Sequence, residues 1–438
     1  MRPFPLFLYP NETVMTESAL AALDAADRSL VERFLRYVSF STTSCSESQT
    51  APSTPGQLVL AKALCEELRA LGAQNARVDR GGVVYAELPA TPGSEGKPAV
   101  GFVAHMDTSP DAPGENIRPQ ILRFEGKDVV LNAERGIVYP VERFPEILRH
   151  TGEDVIFTDG TTLLGADDKA GVAAIMGMLE HLHAHPEIPH AKIAVAFTPD
   201  EEISRGTENF DIPAFGADYA YTFDGGDVGL LESENFNAGT AVVRFGGVGV
   251  HPGSSKGKMV NALRHLAKFI EQLPAEMSPE CTEGYEGFLH PNHASGTVTG
   301  ASVNILIRDH DKAKYEAKKT MLCDLVEAFN REVPKAKVTI SIRDAYENMR
   351  PYLEAFPEVL EVAREACRRA GLTIEEPPVR GGTDGARLSA RGLPTPNLFT
   401  GGLNYHGIYE CLPIPSLCKA RDVAVEIAKL SAEVPAKA

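Results

Sequence analysis

The sequence predicts an α/β protein with two domains. The larger, residues 1–236 and 349–438, is built on a mixed, mostly parallel sheet with helices on both faces. The smaller, residues 237–348, is an α+β unit of ferredoxin-like order inserted between those halves. Three observations lead there. A length of 438 residues suits roughly two to three domains. Short apolar runs alternate with helical stretches as far as about residue 236, which implies parallel strands joined by crossovers. Near Asn237 the texture changes to strand, helix, two strands, helix, strand over about 110 residues, and then reverts.

The first helical pattern follows Met15, with Leu20, Leu23, Leu30, Phe34 and Tyr37 recurring at three- and four-residue spacing. Residues 1–14 hold one Arg and a Pro-interrupted apolar patch, a poor secretory signal. They read as an extension whose removal leaves activity intact, with Met1 and Met15 as alternative starts. STTSCSESQTAPSTPGQ is a Ser/Thr/Pro-rich loop, and a second helix runs from about Leu58 to Leu71. RVDRGGVVYAEL and AVGFVA read as strands, the second buried and running into His105. From Asp111 to about Arg149, frequent Pro and Gly predict a long loop with strand fragments. FTDGTTLLGADDKAG then passes from a polar turn into a helix marked by Val172, Ile175, Met176, Leu179 and Leu182. IAVAFTPDEE and DYAYTFDGG are further strands that end in acids.

In the inserted domain, TAVVRFGGVGV, SVNILIRD and AKVTISIRD are strands, and MVNALRHLAKFIEQL and residues 312–333 are helices. A helix over LEAFPEVLEVAREACRRAG, a GGTDG turn, a short strand PNLFTGG and a terminal helix close the chain.

Composition narrows the function classes. A net charge of −17 argues against nonspecific binding of nucleic acid, which needs a basic face. No apolar run approaches the roughly 18 residues of a membrane span. Seven cysteines, odd in number and never in a CxxC pair, indicate neither a disulfide framework nor a thiolate zinc site. That usage suits a reducing, cytoplasmic compartment. Neither nucleic acid nor membrane is an expected partner.

The residues that carry chemistry lie where apolar runs end. Asp167 and Asp168 stand at the mouth of a helix, where either alone reads as a cap. His105 and Asp107 are two apart, so on an extended segment they face one side, and the carboxylate can fix the tautomer of a metal-binding imidazole. Glu201 and Glu202 point in different directions, which suits one ligand and one free base. Asp224 is followed by glycines that permit close backbone approach. Asp218 and Asp227 read as surface acids. His406 occupies a Gly-flanked loop after a strand.

Each of these has a plain structural reading on its own, a solvated turn or a satisfied His. Together they supply two imidazoles and several carboxylates without a thiolate, a mix that suits divalent zinc, with manganese or cobalt as substitutes. Two cations about 3.5–4 Å apart, sharing Asp167, would jointly hold a water and a carbonyl oxygen, while a free Glu carries the proton to the leaving group. The chemistry is hydrolysis of an amide. His181, His183, His185 and His265 have no matching strand-end carboxylate and read as structural.

AHMDTSPD, LLGADDKAG, FTPDEE, FDGG, HPGSSKGKMVNA, IRDHD, RGGTDG and NYHGIYE resemble, in this order, motifs of the M20 metallopeptidase family, in particular its tripeptide aminopeptidases. The likeness runs from about residue 20 to the C-terminus. It implies two Zn2+ per subunit, one bound by His105, Asp167 and Asp224 and the other by Asp167, Glu202 and His406. It also implies that Glu201 is the general base, that Asp107 orients His105, and that Asp168 is a neighbour of the site after a peptide bond often cis in the family. His251, in VGVHPG, would help hold the developing oxyanion. In several relatives that His comes from a partner subunit, so His251 acting in cis and His251 acting in trans within a homodimer are both open. Arg308 and Arg380 would contact the small peptide substrate, because a guanidinium fork suits a terminal carboxylate; ion pairing with Asp309 or Asp311 is the structural alternative for Arg308. Under this resemblance the larger domain is the catalytic zinc domain and residues 237–348 are a lid or dimerisation domain. The expected activity is release of the N-terminal residue from tripeptides. A dipeptidase, an N-acyl amino-acid deacylase and a non-catalytic binding protein on the same fold are the rival expectations.

Overall fold

A computed structural model describes residues 17–435. The expectations for residues 1–14 and for the start site lie outside the described residues. The chain divides into two compact units. One contains the chain up to Leu231, Ala355–Glu376 and the chain from Thr383 on; the other contains Glu232–Glu354 and Pro377–Gly382.

The first unit opens with α1 (Glu17–Ala22) and α2 (Ala25–Val38), two helices where periodicity predicts one. Asp24 explains the break: its backbone is extended and its carboxylate accepts the Asp27 N–H at 2.9 Å, capping α2. α3 (Pro55–Ala70) has Pro at its first turn, where the missing N–H costs nothing. The chain continues through β1 (Gln74–Val78), β2 (Val84–Leu88), β3 (Val100–His105), β4 (Pro119–Arg123), β5 (Val129–Asn132), β6 (Ile137–Tyr139), β7 (Asp154–Thr158) and α4 (Ala166–Ala184). β8 (Ile193–Thr198), α5 (Ile212–Phe215), β9 (Tyr219–Gly225) and β10 (Leu231–Glu232) follow.

The second unit holds β11 (Asn237–Gly246), α6 (Ala262–Ile270), β12 (Phe288–Gly296), β13 (Gly300–Asp309), α7 (Lys312–Glu332) and β14 (Thr339–Tyr346). Its four strands are antiparallel in the order β12-β13-β11-β14, so the two helix crossovers give the ferredoxin-like arrangement. Residues of β13 alternate in burial. Ala301, Val303, Ile305 and Ile307 point into a core with Val243, Phe245, Leu266, Phe269, Leu322 and Phe329. This unit therefore has its own hydrophobic centre.

α8 (Arg350–Glu354) ends this stretch of the second unit, and the chain returns to the first through α9 (Pro357–Arg369), α10 (Asp384–Ala390), β15 (Asn397–Phe399), β16 (Leu412–Pro413) and α11 (Ile414–Ser431). The main sheet has the order β1-β2-β8-β3-β9-β15-β10. β8, β3, β9 and β15 pair in parallel, while β1 and β2 are antiparallel at one edge. Both faces of the central strands are covered, which is why β8 is apolar without alternation. Ile193, Val195 and Phe197 join the core built by α2, α4 and α11, and Ala194 and Ala196 meet Tyr85, Phe210, Phe215 and Leu388 on the opposite face.

The segment from Asp111 to Arg149 differs from the expected long loop. β4, β7 and β16 form an antiparallel sheet, β5 and β6 a hairpin, and Phe124, Leu131, Tyr139, Ile147, Val155 and Phe157 a buried cluster of their own. Strands of three to five residues are too short for a period-two pattern to be read. No described helix is long and apolar enough to cross a membrane, and all seven cysteines are free.

Candidate metal centre

The carboxyl ends of parallel strands are where an open α/β sheet gathers a ligand site. Here β3 ends at His105, β8 leads into Asp200, Glu201 and Glu202, and β9 carries Asp224. His406 follows β15 in a tight loop, with φ of 62°, a left-handed conformation that a non-glycine residue holds only under constraint. Asp167 comes from the start of α4. Gly165 there has φ of 78° and Asp167 itself is non-helical, so the carboxylate leaves the helix axis. The Asp167–Asp168 peptide bond is cis.

These five side chains converge. Asp167 Oδ1 lies 2.8 Å from His105 Nε2 and Asp167 Oδ2 lies 3.1 Å from His406 Nε2. His105 Nε2 is also 3.3 Å from Asp224 Oδ1, and His406 Nε2 is 2.9 Å from Glu202 Oε2. His105, Glu201 and Asp224 form one group with converging donor atoms, and His105, Asp167 and Glu202 form another.

Asp107 is fully buried. Its Oδ1 is 3.3 Å from His105 Nδ1, and its two carboxylate oxygens accept the backbone N–H groups of Glu201 (3.0 Å) and Glu202 (3.2 Å). The Asp107 backbone carbonyl also lies 3.1 Å from His105 Nδ1, so this one residue aligns the imidazole and, through its carboxylate, the turn that presents both glutamates. Asp168 is turned away from this convergence. It accepts the His105 N–H at 3.0 Å and the Gly171 N–H at 3.2 Å, binding the end of β3 to the first turn of α4 in the manner of a cap.

The donor set fits divalent cations. With Nδ1 of His105 donating to Asp107, its Nε2 presents a lone pair to two carboxylates, an arrangement that is repulsive unless positive charge sits among them. Glu202 Oε1 is buried with no hydrogen-bond partner, a costly state for a carboxylate oxygen unless a cation takes it up. The electrostatics say the same. Hydrogen bonds to Asp167 and Glu202 hold the His406 imidazolium up to about 11, against the opposing effect of burial. Burial and then the Asp384 and Asp224 carboxylates push Glu201 well above the ordinary carboxylate range.

Sequence reasoning missed three buried residues around this centre. Asp384, from the GGTDG turn, accepts Thr198 Oγ1 at 2.7 Å and is pushed up to about 6 by burial. Glu410 accepts three backbone N–H groups at the start of α4, and burial raises it to about 7. Lys169 donates to Phe40 O at 2.9 Å and is pulled down to about 7 by burial, with Glu410 and Asp107 opposing. Asp384 alone had a signal, an acid between glycines after a predicted strand-like turn.

The other expected residues belong to the second unit. His251 is exposed and its Nδ1 accepts the Gly253 N–H at 3.1 Å, so in the neutral ring the proton resides on Nε2. Arg308 Nη1 donates to Gly239 O at 3.1 Å and Ile307 O at 3.0 Å, and the guanidinium lies 5.7 Å from the Tyr346 ring centre. Its neighbours take other partners: Asp309 pairs with Lys318 at 2.5 Å, and Asp311 caps α7 through the Lys314 N–H. Arg380 donates to the carbonyls of Gly284, Glu286 and Thr282 and stands 5.1 Å from the Phe236 ring centre, bracing the 282–286 loop. The His181 and His185 rings meet at the end of α4, with centroids 4.6 Å apart and planes tilted by 38°.

Residues 162–430 match the model of peptidase family M20/M25/M40. Peptidase T of Parabacteroides distasonis is 48% identical over 403 residues, covering 92% of this chain and 99% of the relative. The crystal structure of aminopeptidase PepT from Bacillus cereus superposes with a TM-score of 0.72 at 24% identity, over 93% of this chain and 99% of that one. A tripeptidase from Staphylococcus aureus does so with a TM-score of 0.71 at 23% identity, with the same coverage.

Proposed function

Because the chain belongs to peptidase family M20/M25/M40, and within it to the peptidase T group, we propose that it is a dinuclear metallo-aminopeptidase releasing the N-terminal residue of tripeptides. The observation that carries this reading is the pair of contacts made by one carboxylate, Asp167 Oδ1 to His105 and Oδ2 to His406. A carboxylate shared between two imidazoles, each with a second acid beside it, is what a pair of cations needs for bridging. His105, Asp167 and Asp224 would hold one ion, and Asp167, Glu202 and His406 the other. Zinc suits these N and O donors. When bound, the ions supply a water of lowered pKa and an electrophile for the scissile carbonyl.

The chain's own residues do the rest. Glu201 takes the proton of the attacking water and returns it to the departing amine nitrogen. Burial and the Asp384 and Asp224 carboxylates raise its proton affinity, the direction that favours taking up a proton. Asp107 fixes the backbone of Glu201 and Glu202 and keeps His105 in the tautomer whose Nε2 faces the centre. His251, with its proton on Nε2, is suited to donate to a developing oxyanion. Arg308 and Arg380 complete the reading as contacts for the peptide carboxylate. For Arg380 that role requires exchanging its present carbonyl partners.

Glu201→Ala tests the assignment. Turnover of a tripeptide should fall by about 10²–10⁴-fold while metal content stays at about two ions per chain. Full activity in that variant would remove Glu201 from the mechanism. A panel of di-, tri- and tetrapeptides with N-acylated amino acids tests the substrate class, and preference for the acylated compounds would replace the tripeptidase reading.

A further inference from the structure

His406 and Asp167 stand far apart in the sequence, yet both must reach one ion. The structure shows what joins their segments. Leu403 and Cys411 bond to each other through both backbone groups, at 2.9 and 3.0 Å, closing the loop that carries His406. β16, just beyond, is paired to β7. Within this closure Glu410, 1% exposed, extends its carboxylate into the turn before α4. Oε2 accepts the N–H groups of Leu164 at 2.6 Å and Gly165 at 2.7 Å, and Oε1 accepts the N–H of Asp167 at 3.0 Å. The left-handed backbone at Gly165 lets successive N–H groups converge on one anion, a small nest.

Nothing about this carboxylate serves the surface or the apolar core. The three hydrogen bonds it accepts all come from the backbone that carries Asp167, from a position four residues after His406. From this we infer that Glu410 is a positioning residue: it clamps the bridging-aspartate turn to the His406 loop and so sets the geometry of the ion bound between them. The inference rests on reading the site as a two-metal centre.

The clamp acts unequally on the two ions. His105 and Asp224 sit on β3 and β9, which are fixed to each other by direct pairing whatever Glu410 does. Only the ion held by His406 depends on both clamped segments. Loss of the clamp therefore makes ordering of those segments part of the cost of binding that ion.

Glu410→Gln preserves size but turns an amide N–H towards a backbone donor. Calorimetric titration of the metal-free protein with Zn2+ should show two ions bound by the natural chain. For the variant, the ion held by His406 should bind about 10–100-fold more weakly, and the other, which shares only Asp167 with the clamped segments, should lose less. Tripeptide turnover should return as Zn2+ is raised, a change in apparent metal requirement rather than in the limiting rate. Glu410→Asp keeps the charge but is one methylene short, and should fall between the two; it serves alone if the Gln variant does not fold. Two ions bound with natural affinity in these variants, with only a lowered thermal midpoint of the metal-free protein, would reduce Glu410 to a structural role and overturn the inference. If the natural chain itself binds fewer than two ions, the dinuclear reading fails and the inference with it. If it binds two and only the variants behave as natural, the dinuclear reading stands and the clamp alone falls.

Discussion

At the scale of single residues, the centre is held by groups that never touch a substrate. Gly171 is one. A Cβ there would lie 1.9 Å from the Phe223 carbonyl oxygen and 2.4 Å from Asp168 Oδ1, the carboxylate that ties β3 to α4. Backbone of a central strand cannot move aside cheaply, so Gly171→Ala should cost about 3 kcal/mol, read from the urea midpoint. A loss below about 1 kcal/mol would mean that α4 packs more loosely on β9 than described. The five converging residues were legible in the sequence because each is a His or acid closing an apolar run. Glu410 and Lys169 were not, since a buried charge whose partners are backbone groups leaves no residue pattern. Asp168 illustrates a third case: its place at a helix mouth reads as a cap, and its hydrogen bonds to the His105 and Gly171 N–H groups are of that kind.

At the scale of elements, the layer formed by β4 to β7 was illegible as such, because its strands are short and its cluster draws on residues more than 250 positions apart, Phe124 to Cys411. The turn before β7 carries a titratable tie. His150, 3% exposed, sets Nδ1 2.9 Å from Glu153 and Nε2 3.2 Å from Asp227, and Asp227 also meets Arg149 at 3.0 Å. Burial opposes the charged ring, but hydrogen bonds to Asp227 and Glu153 win and raise its pKa. A raised folded-state pKa contributes stability that is complete below the unfolded value of about 6.5 and is lost as pH rises through the folded value. His150→Gln should therefore be less stable than the natural chain at pH 5.5 by about 1 kcal/mol, a figure reduced for the solvent that reaches Glu153. The gap should narrow at pH 9. Urea denaturation at both values checks this, and a gap that does not change with pH would show that the ion pairs contribute nothing.

At the scale of the whole molecule, the alternation of strands and helices was enough to give the fold class, and the ferredoxin-like order of the second unit followed from its pattern. What no local pattern marks is the return of residues 377–382 to that unit, through a bridge between Asn235 and Val379 and through Arg380 on the 282–286 loop. All five candidate ligands lie in the first unit. Metal binds the folded state, so it should slow backbone hydrogen exchange there, around β3, β9 and the start of α4. β11 and β13 should exchange at unchanged rates, as mass spectrometry of the exchanged peptides would show; protection appearing in β11 and β13 as well would place the metal's effect beyond the first unit. The strand order has one more consequence, for synthesis. β15 fills the place between β9 and β10, both of which leave the ribosome long before it, and His406 emerges later still. The sheet must wait with a vacant slot while the intervening unit, whose core is complete in itself, is free to form first. A chain interrupted before Asn397 would carry a finished second unit beside a first one lacking both its inner strand and His406, one of its five candidate ligands.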